Sequence, residues 1–219
     1  MVKTAVLVSG GGVNLQSLID ARVFGEIPQC ELTAVISTNP QAYALKRAEM
    51  AGIQSFVVER ELFPSQTVFS FAILDKLRDL DIALVVLAGF EGELSQPVFK
   101  HYAGKIIDTY PALMPAFTDL NLPLAQLQRE VLRSGVKLTG ATAYFVTETP
   151  FKGPIIQQKA VAVREGDTAA TLQRRVLEEG ENYVLPRAVE LYCSGKLTVE
   201  GELVHIDSNG SSEDDKSTK

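Results

Sequence analysis

Residues 4–14 read TAVLVSGGGVN, an apolar run that ends in three consecutive glycines. Residues 4–9 have the composition of a buried strand, and residues 14–23 place Leu15, Leu18 and Ile19 on one face of a helix. Glycines between a strand and a helix N-terminus let the backbone approach an anion, which the helix N–H groups and dipole attract. A tight turn that needs positive φ explains the glycines equally well, so both interpretations stay open at this point.

The same turn argues against a dinucleotide site. A G-x-G-x-x-G fingerprint would need its third glycine where Leu15 stands. The next predicted strand, residues 32–37, runs into Thr38-Asn39-Pro40 and offers no carboxylate to hold a ribose. Binding of NAD is therefore disfavoured.

Strand-like and helix-like segments alternate through the first half of the chain. The predicted strands are residues 4–9, 32–37, 54–58, 82–88 and 105–109, and the predicted helices are residues 14–23, 42–51 and 67–80. This alternation is typical of an α/β fold with a mostly parallel central sheet that helices cover on both faces. Residues 82–88 are the most apolar run and predict the central strand.

The second half of the chain has a different pattern. It predicts a proline-containing loop at residues 111–123, a helix at 123–133, strands at 140–147 and 154–163, a long helix at 169–191, and a hairpin of residues 196–199 with 203–206. Because no linker or internal repeat interrupts this order, we predict one domain over residues 1–206. Residues 207–219 are polar throughout and predict a disordered tail.

Composition excludes several classes of function. The chain has 219 residues and a net charge of −6, whereas a general nucleic-acid binder would carry a basic surplus. Two cysteines and two histidines without metal-ligand spacing predict no metal site. We find no signal-peptide cleavage site and no apolar run of membrane-spanning length, so we expect a cytoplasmic protein with unpaired cysteines.

Six segments occur in the order and spacing of one known family. They are SGGGVNLQ at residues 9–16, LAGF at 87–90, HYAGK at 101–105, PALMP at 111–115, GATAYFVT at 140–147 and GPIIQQ at 153–158. From residue 3 to about residue 200, the chain resembles the phosphoribosylglycinamide formyltransferase family. The resemblance implies a Rossmann-like formyltransferase fold and a transferase of purine biosynthesis.

The resemblance also implies the substrates. A formyl group would pass from 10-formyltetrahydrofolate to glycinamide ribonucleotide, with no metal. Residues 1–110 would bind the nucleotide's phosphate, and residues 111–206 would form the folate cleft. Both partners are small molecules, and the implied assembly is a monomer or a weak homodimer.

The family's substrate-binding positions map onto glycine-turn residues and one glutamate. They are Gly11, Gly12, Val13, Asn14 and Glu181. The spacing around Glu179-Gly180, just before this glutamate, is one residue longer than the family pattern.

The folate-binding positions of the family map onto two short segments and two single residues. They are Gln66, Phe90, Glu91, Gly92, Glu93, Leu94 and Thr147. Gln66 stands where the family often has arginine, and Asp119 replaces a glycine of a family loop. The carboxylates of Glu91 and Glu93 disfavour an anionic folate tail.

The positions equivalent to the family's catalytic Asn, His and Asp hold Asp108, Tyr110 and Phe151. Formyl transfer needs hydrogen-bond donors to the developing oxyanion and a proton for the leaving nitrogen. An ionised Asp108 offers only acceptors, unless the site raises its pKa enough to keep it protonated. Tyr110 donates one hydrogen bond, but a reference pKa near ~10 makes it a poor proton shuttle. Phe151 cannot orient water.

Two main hypotheses follow from these substitutions. The protein is a formyltransferase in which Asp108 and Tyr110 take over the donor roles, or it is a catalytically inactive or repurposed paralogue that binds a phosphorylated ligand. A third, an enzyme of the same fold with a different acyl donor, stays open. The chemistry of the substituted positions favours the second hypothesis for folate-dependent turnover, whereas overall resemblance favours the first.

Overall fold

A seven-stranded sheet forms the centre of the computed structural model, which describes residues 1–118 and 124–207. In chain order the strands are β1 (Val2–Val8), β2 (Cys30–Ser37), β3 (Gln54–Val57), β4 (Leu84–Leu87), β5 (Ile106–Tyr110), β6 (Leu138–Phe145) and β7 (Ile155–Ala162). Their spatial order is β3-β2-β1-β4-β5-β6-β7. Neighbours from β3 to β5 pair in parallel, whereas β6 and β7 are antiparallel. The mostly parallel sheet is confirmed, and β4 occupies its middle as predicted.

Helices cover both faces of this sheet. They are α1 (Val13–Val23), α2 (Tyr43–Met50), α3 (Gln66–Asp79), α4 (Gln96–His101), α5 (Leu124–Arg133), α6 (Ala169–Arg175) and α7 (Asn182–Cys193). A 3₁₀ turn, Arg60–Leu62, precedes α3, and the hairpin of β8 (Leu197–Glu200) and β9 (Leu203–Ile206) follows α7 as predicted. No helix within residues 1–118 and 124–207 is both long and apolar enough to cross a membrane.

Successive side chains of β1 point to opposite faces of the sheet, and the protein core covers both faces. Val6 and Val8 point into the core shared with α1 and α7, while Ala5 and Leu7 point into the core shared with α3 and α4. All four side chains are fully buried, as expected for a strand with helices on both faces.

The sequence did not predict α4. The helix has only six residues, too few for an apolar period to appear. It forms because Val98 is fully buried against the α3 side of the sheet and because Pro97 occupies its first turn, where proline is tolerated. Packing of Val98 in the folded protein, rather than a local sequence pattern, therefore stabilises this helix.

The long helix predicted at residues 169–191 is present as one continuous helical run, but its middle is not α-helical. A π segment, Val176–Glu181, separates α6 from α7. A π turn accommodates an additional residue within a helix, which accounts for the longer spacing around Glu179-Gly180. Gly180 lies against β6, where a Cβ would stand 3.0 Å from the Cβ of Ala141. The π segment ends on Glu181 and so sets the direction of that side chain.

Two of the sequence predictions reach beyond the described residues. Asp119 and the end of the loop predicted at residues 111–123 lie outside them, as does the predicted polar tail after Asp207. The prediction of one domain over residues 1–206 stays a prediction.

The glycine turn makes the close approach of α1 and α2 possible. Gly12 has φ of 70°, and a Cβ on it would lie 2.7 Å from the Cβ of Ala44 and 2.9 Å from its Cα. The backbone N–H of Ala44 donates to the carbonyl of Gly10 at 3.1 Å, which fastens the turn to α2. Around Gly11, by contrast, no heavy atom of the described residues lies within 4 Å of a Cβ position.

We expect Gly12→Ala to lower the free energy of unfolding by about 2–3 kcal/mol, because it combines a positive φ with a backbone clash. Gly11→Ala is the matched control and should change it by less than about 0.5 kcal/mol. Urea denaturation of both variants measures the difference. Equal losses at the two positions would contradict this account of the turn.

Candidate functional site

The glycine turn presents backbone donors at the carboxyl edge of the sheet. Gly10 and Gly11 are exposed, and no side chain among the described residues caps the N–H groups of the first turn of α1. Arg47 lies beside them, with Nε donating to the carbonyl of Gly11 at 2.9 Å and Nη1 donating to Gln16 at 2.8 Å. Unpaired N–H groups, a helix dipole and a held guanidinium together suit a phosphate.

A hydrogen-bonded cluster links this turn to β5 and to the π segment. Asn14 donates from Nδ2 to Oε2 of Glu181 at 3.0 Å and to Oγ1 of Thr109 at 3.3 Å. Thr109 donates to the same Glu181 oxygen at 2.7 Å. Burial raises the pKa of Glu181, while the bonds from Thr109 and Asn14 oppose that rise. The predicted substrate positions Asn14 and Glu181, 167 residues apart, therefore meet in space.

Asn14 has a second polar atom that the cluster leaves unused. Its Oδ1 is buried and has no hydrogen-bond partner within residues 1–118 and 124–207. A buried acceptor without a partner is costly. The atom is therefore suited to accept a hydrogen bond from an N–H or O–H group of a ligand.

Asp108 lies on β5 next to this cluster. Its Oδ1 accepts the backbone N–H of Thr109 at 2.7 Å, and the hydroxyl of Tyr144, its cross-strand neighbour on β6, also bonds to it. Asp108 is half-buried, and desolvation, with the nearby charge of Glu181, raises the pKa of its carboxyl group to about 7. A substantial fraction is therefore protonated at neutral pH and offers an O–H donor.

Tyr110 makes contacts that prevent proton transfer. Its hydroxyl donates to the carbonyl of Phe117 at 2.8 Å, and its ring lies 4.8 Å from the ring of Phe151. Burial raises the pKa of Tyr110 to about 12. Phe117 and Phe151 both have left-handed backbones, with φ of 64° and 57°, an unusual conformation for aromatic residues. The rings of Tyr110 and Phe151 thus pack together at the two positions where the family resemblance implies a histidine and an aspartate.

Most of the predicted folate positions border one cavity of about 660 Å³ beyond the ends of β1 and β2. Its lining residues are Ser9, Thr38, Asn39, Pro40, Glu59, Arg60, Glu61, Gln66, Glu91, Gly92 and Glu93. Ser9 accepts the backbone N–H of Glu91 at 2.8 Å, and Gln66 donates to the carbonyl of Leu94 at 3.2 Å. Four glutamates against one arginine make the cavity negative.

The remaining predicted positions lie elsewhere. Phe90 packs its ring against Gly92, and Val13 is exposed on the first turn of α1. Thr147 is exposed and donates to the carbonyl of Thr149 at 3.0 Å. Among the described residues that line the cavity, none belongs to the Asp108, Tyr110 and Phe151 set.

Sequence reasoning missed four residues of these clusters. They are Arg47, Thr109, Phe117 and Tyr144. Thr109 carried a weak signal, because it stands beside Asp108 at the end of a predicted strand. Tyr144 carried none, since only the register of β5 and β6 places it opposite Asp108. Within the described part of the chain, no group of three or more His, Cys, Asp or Glu side chains is placed to hold a metal ion.

The fold and these clusters define a class of protein. The chain belongs to the formyl transferase family, whose N-terminal domain (Formyl_trans_N) it matches over residues 2–189. It is 33% identical over 207 residues to the phosphoribosylglycinamide formyltransferase of Haemophilus influenzae, with 94% of each chain covered. The family resemblance and the fold class are confirmed.

Further relatives agree with this membership. The structure of glycinamide ribonucleotide transformylase 1 from Symbiobacterium toebii superposes with a TM-score of 0.88, at 39% identity over 94% of each chain. The trifunctional purine biosynthetic protein adenosine-3 of Gallus gallus is 38% identical over 198 residues. Those residues are 90% of this chain but only 19% of that relative, so the chain spans about a fifth of its length.

The raised pKa of Asp108 predicts a pH-dependent stability. Its folded pKa of about 7 exceeds the unfolded value, so the folded state binds the proton more tightly. The stability that Asp108 contributes is fully present below about pH 4 and is lost as pH rises through about 7. Asp108→Asn removes the ionisation, and we expect it to gain about 2–3 kcal/mol relative to the parent between pH 5 and pH 8.5.

Thermal unfolding at several pH values measures this gain. Asp75→Asn, at an exposed position of α3, is the control and should follow the parent at every pH. A constant difference between Asp108→Asn and the parent across this range would refute the burial of an ionisable Asp108.

Proposed function

We propose that this protein transfers a formyl group from 10-formyltetrahydrofolate to the amine of glycinamide ribonucleotide, in purine biosynthesis. The observation that carries the proposal is the Asn14–Thr109–Glu181 cluster beside an uncapped glycine turn. The names of the Haemophilus influenzae and Symbiobacterium toebii relatives support it. Two small-molecule substrates, a cytoplasmic location and a monomer or weak homodimer are parts of the same proposal.

The ribonucleotide binds at the turn. Its phosphate accepts hydrogen bonds from the N–H groups of Gly12, Val13 and the rest of the first turn of α1, while Arg47 supplies positive charge. The unused Oδ1 of Asn14 and the carboxylate of Glu181 accept hydrogen bonds from hydroxyl or amine groups of the same ligand. The phosphate of the ligand therefore meets hydrogen-bond donors, and its hydroxyl and amine groups meet acceptors.

Asp108 serves the chemical step in its protonated form. The amine attacks the formyl carbon, the carbonyl oxygen gains negative charge, and the O–H of Asp108 donates to it. Collapse of this intermediate breaks the bond to the folate nitrogen, which takes up the proton that the amine releases. Because Tyr110 and Phe151 provide no proton relay, we expect a rate about 10²–10⁴ below that of an enzyme with a general acid–base group. The rate should also fall as pH rises through about 7.

The second candidate is a catalytically inactive or repurposed paralogue that binds a phosphorylated ligand at the same turn. One specific observation favours it: the hydroxyl of Tyr110 is held by Phe117, and its ring packs on Phe151. The negative cavity beside Gln66 and Glu91 also opposes an anionic folate tail. Both candidates place a phosphorylated ligand at the turn and differ in turnover.

Binding of glycinamide ribonucleotide alone, without folate, tests the phosphate site at the glycine turn. We expect a thermal shift equivalent to about 2.7 kcal/mol at a ligand concentration of 100 times Kd. Arg47→Gln should weaken binding about tenfold, because one charge-assisted phosphate contact is lost. Arg78→Gln, at an exposed position of α3, is the control and should bind as the parent does. Absence of any shift would contradict ribonucleotide binding at the turn and, with it, formyl transfer to glycinamide ribonucleotide.

Turnover separates the candidates. With both substrates present, spectroscopic detection of the deformylated folate should show a slow reaction that falls above pH 7. The double variant Asp108→Asn with Tyr110→His should raise the rate about 10²-fold, because it restores a neutral donor and an imidazole. If the parent and the double variant both bind ribonucleotide and neither turns over, formyl transfer is wrong and the inactive paralogue is supported.

A further inference from the structure

A second cavity, of about 550 Å³, lies between α1 and α2. The two helices are held together at their N-terminal ends, where Gly12 lies against Ala44 and Arg47 donates to Gln16 at 2.8 Å. Beyond this contact, later turns of both helices line the cavity, together with residues near the start of β2 and just before β3. Pockets that hold small molecules have volumes between about 300 and 1,000 Å³, so this cavity has a suitable size.

Most side chains that line the cavity are apolar, and some of them face solvent. Ile19 is buried, and Leu32 and Ile53 are half-buried against the protein core. Val23 and Met50, by contrast, are 76% and 83% exposed. A helix on the surface of a protein normally turns polar side chains to solvent. Exposed apolar side chains grouped around a cavity are instead typical of a binding site.

The charged side chains of this cavity favour an anion. Arg22 and Arg47 contribute two guanidinium groups, against the single carboxylate of Glu31. The balance is opposite to that of the cavity beside Gln66 and Glu91, which is negative, and to the net charge of −6 of the whole chain. Apolar walls with an excess of guanidinium groups are complementary to a ligand that has both an apolar part and a negative charge.

Tyr43 and Arg47 favour an aromatic ring as the apolar part of the ligand. The guanidinium carbon of Arg47 lies 5.1 Å from the centre of the Tyr43 ring, and Tyr43 is 52% exposed. The guanidinium is held in place, because its Nε donates to the carbonyl of Gly11 at 2.9 Å. A fixed guanidinium and an aromatic ring offer flat surfaces on which another planar group stacks.

We propose that the cavity between α1 and α2 binds a small aromatic anion, a planar ring that carries a carboxylate, sulfonate or phosphate group. The ring packs against Tyr43 and Met50, and the anionic group pairs with the guanidinium of Arg22. Nη2 of Arg22 lies 3.9 Å from the sulfur of Met1, a weak contact that an anion readily replaces.

The cavity is a different site from the one proposed for formyl transfer. Of the described residues that line it, none is Asn14, Asp108 or Glu181. Arg47 borders both sites, but the pairing of the anion with Arg22 requires nothing of the glycine turn. The inference is therefore independent of the proposed function.

Fluorescence titration of the full chain with anilinonaphthalene sulfonate tests the proposal. This probe is an aromatic anion, and its emission rises when its rings leave water. We expect saturable binding of one probe molecule per chain. Its uncharged analogue, phenylnaphthylamine, should bind about tenfold more weakly, because it lacks the group that pairs with Arg22.

Three variants locate the binding site of the probe. Met50→Glu places a carboxylate at the cavity and should weaken binding of the anionic probe at least about tenfold. Leu62→Glu, at a position that is 74% exposed and does not line the cavity, is the matched control and should bind the probe as the parent does. Arg22→Gln should weaken binding of the anionic probe about five- to tenfold and leave that of the uncharged analogue unchanged.

Thermal unfolding of each variant verifies that it is folded, and Val23→Glu replaces Met50→Glu should the latter unfold. The proposal is overturned if the parent shows no saturable binding, or if Met50→Glu and Leu62→Glu bind the anionic probe equally well. Equal affinity of the parent for the two probes would also overturn it, because the anion would then not be recognised. If light scattering shows a parent dimer that Met50→Glu separates into monomers, a second copy of the chain covers the cavity and the proposal is wrong.

Discussion

The carboxylate of Glu181 accepts hydrogen bonds from both Asn14 and Thr109, and the arrangement of the site depends on this group. It joins the first turn of α1, the end of β5 and the π segment, and a direct hydrogen bond from Asn14 to Thr109 adds to this link. A carboxylate surrounded by protein is costly unless its oxygens are satisfied, so these elements are constrained to one relative position. The π turn is what brings the Glu181 side chain to that position.

Burial has opposite consequences at the two positions of β5 that matter for chemistry. It raises the pKa of Asp108 to about 7, which turns an unsuitable anion into a partial hydrogen-bond donor. It also raises the pKa of Tyr110 to about 12, and the bond to Phe117 uses the only proton that Tyr110 has. One substitution is therefore compatible with oxyanion stabilisation, and the other is incompatible with proton transfer. This contrast is why binding and turnover must be considered separately.

The sequence predicted the larger elements well because each had a strong local signal. The strands of the sheet and the helices α1, α2 and α3 differ from prediction by a few residues at most, since apolar periodicity is long enough to read there. The helix α4 has only six residues, which is too short for an apolar period to be detected. The π segment could not be told from an α-helix, because its pattern of apolar residues is similar. Of the site, Asn14 and Glu181 were accessible through family resemblance, whereas Tyr144 was not, because it belongs to the site only by strand register.

The sequence by itself determined the α/β class and the glycine turn at the start of α1, and family resemblance predicted that Asp108, Tyr110 and Phe151 stand in place of the usual catalytic side chains. Those properties depend on residue identity and local spacing. Only the tertiary structure decided that the surroundings of Asp108 raise its pKa and that the hydroxyl of Tyr110 is held by the carbonyl of Phe117. Each of these depends on desolvation or on a contact between distant segments, and neither quantity exists until the chain has folded.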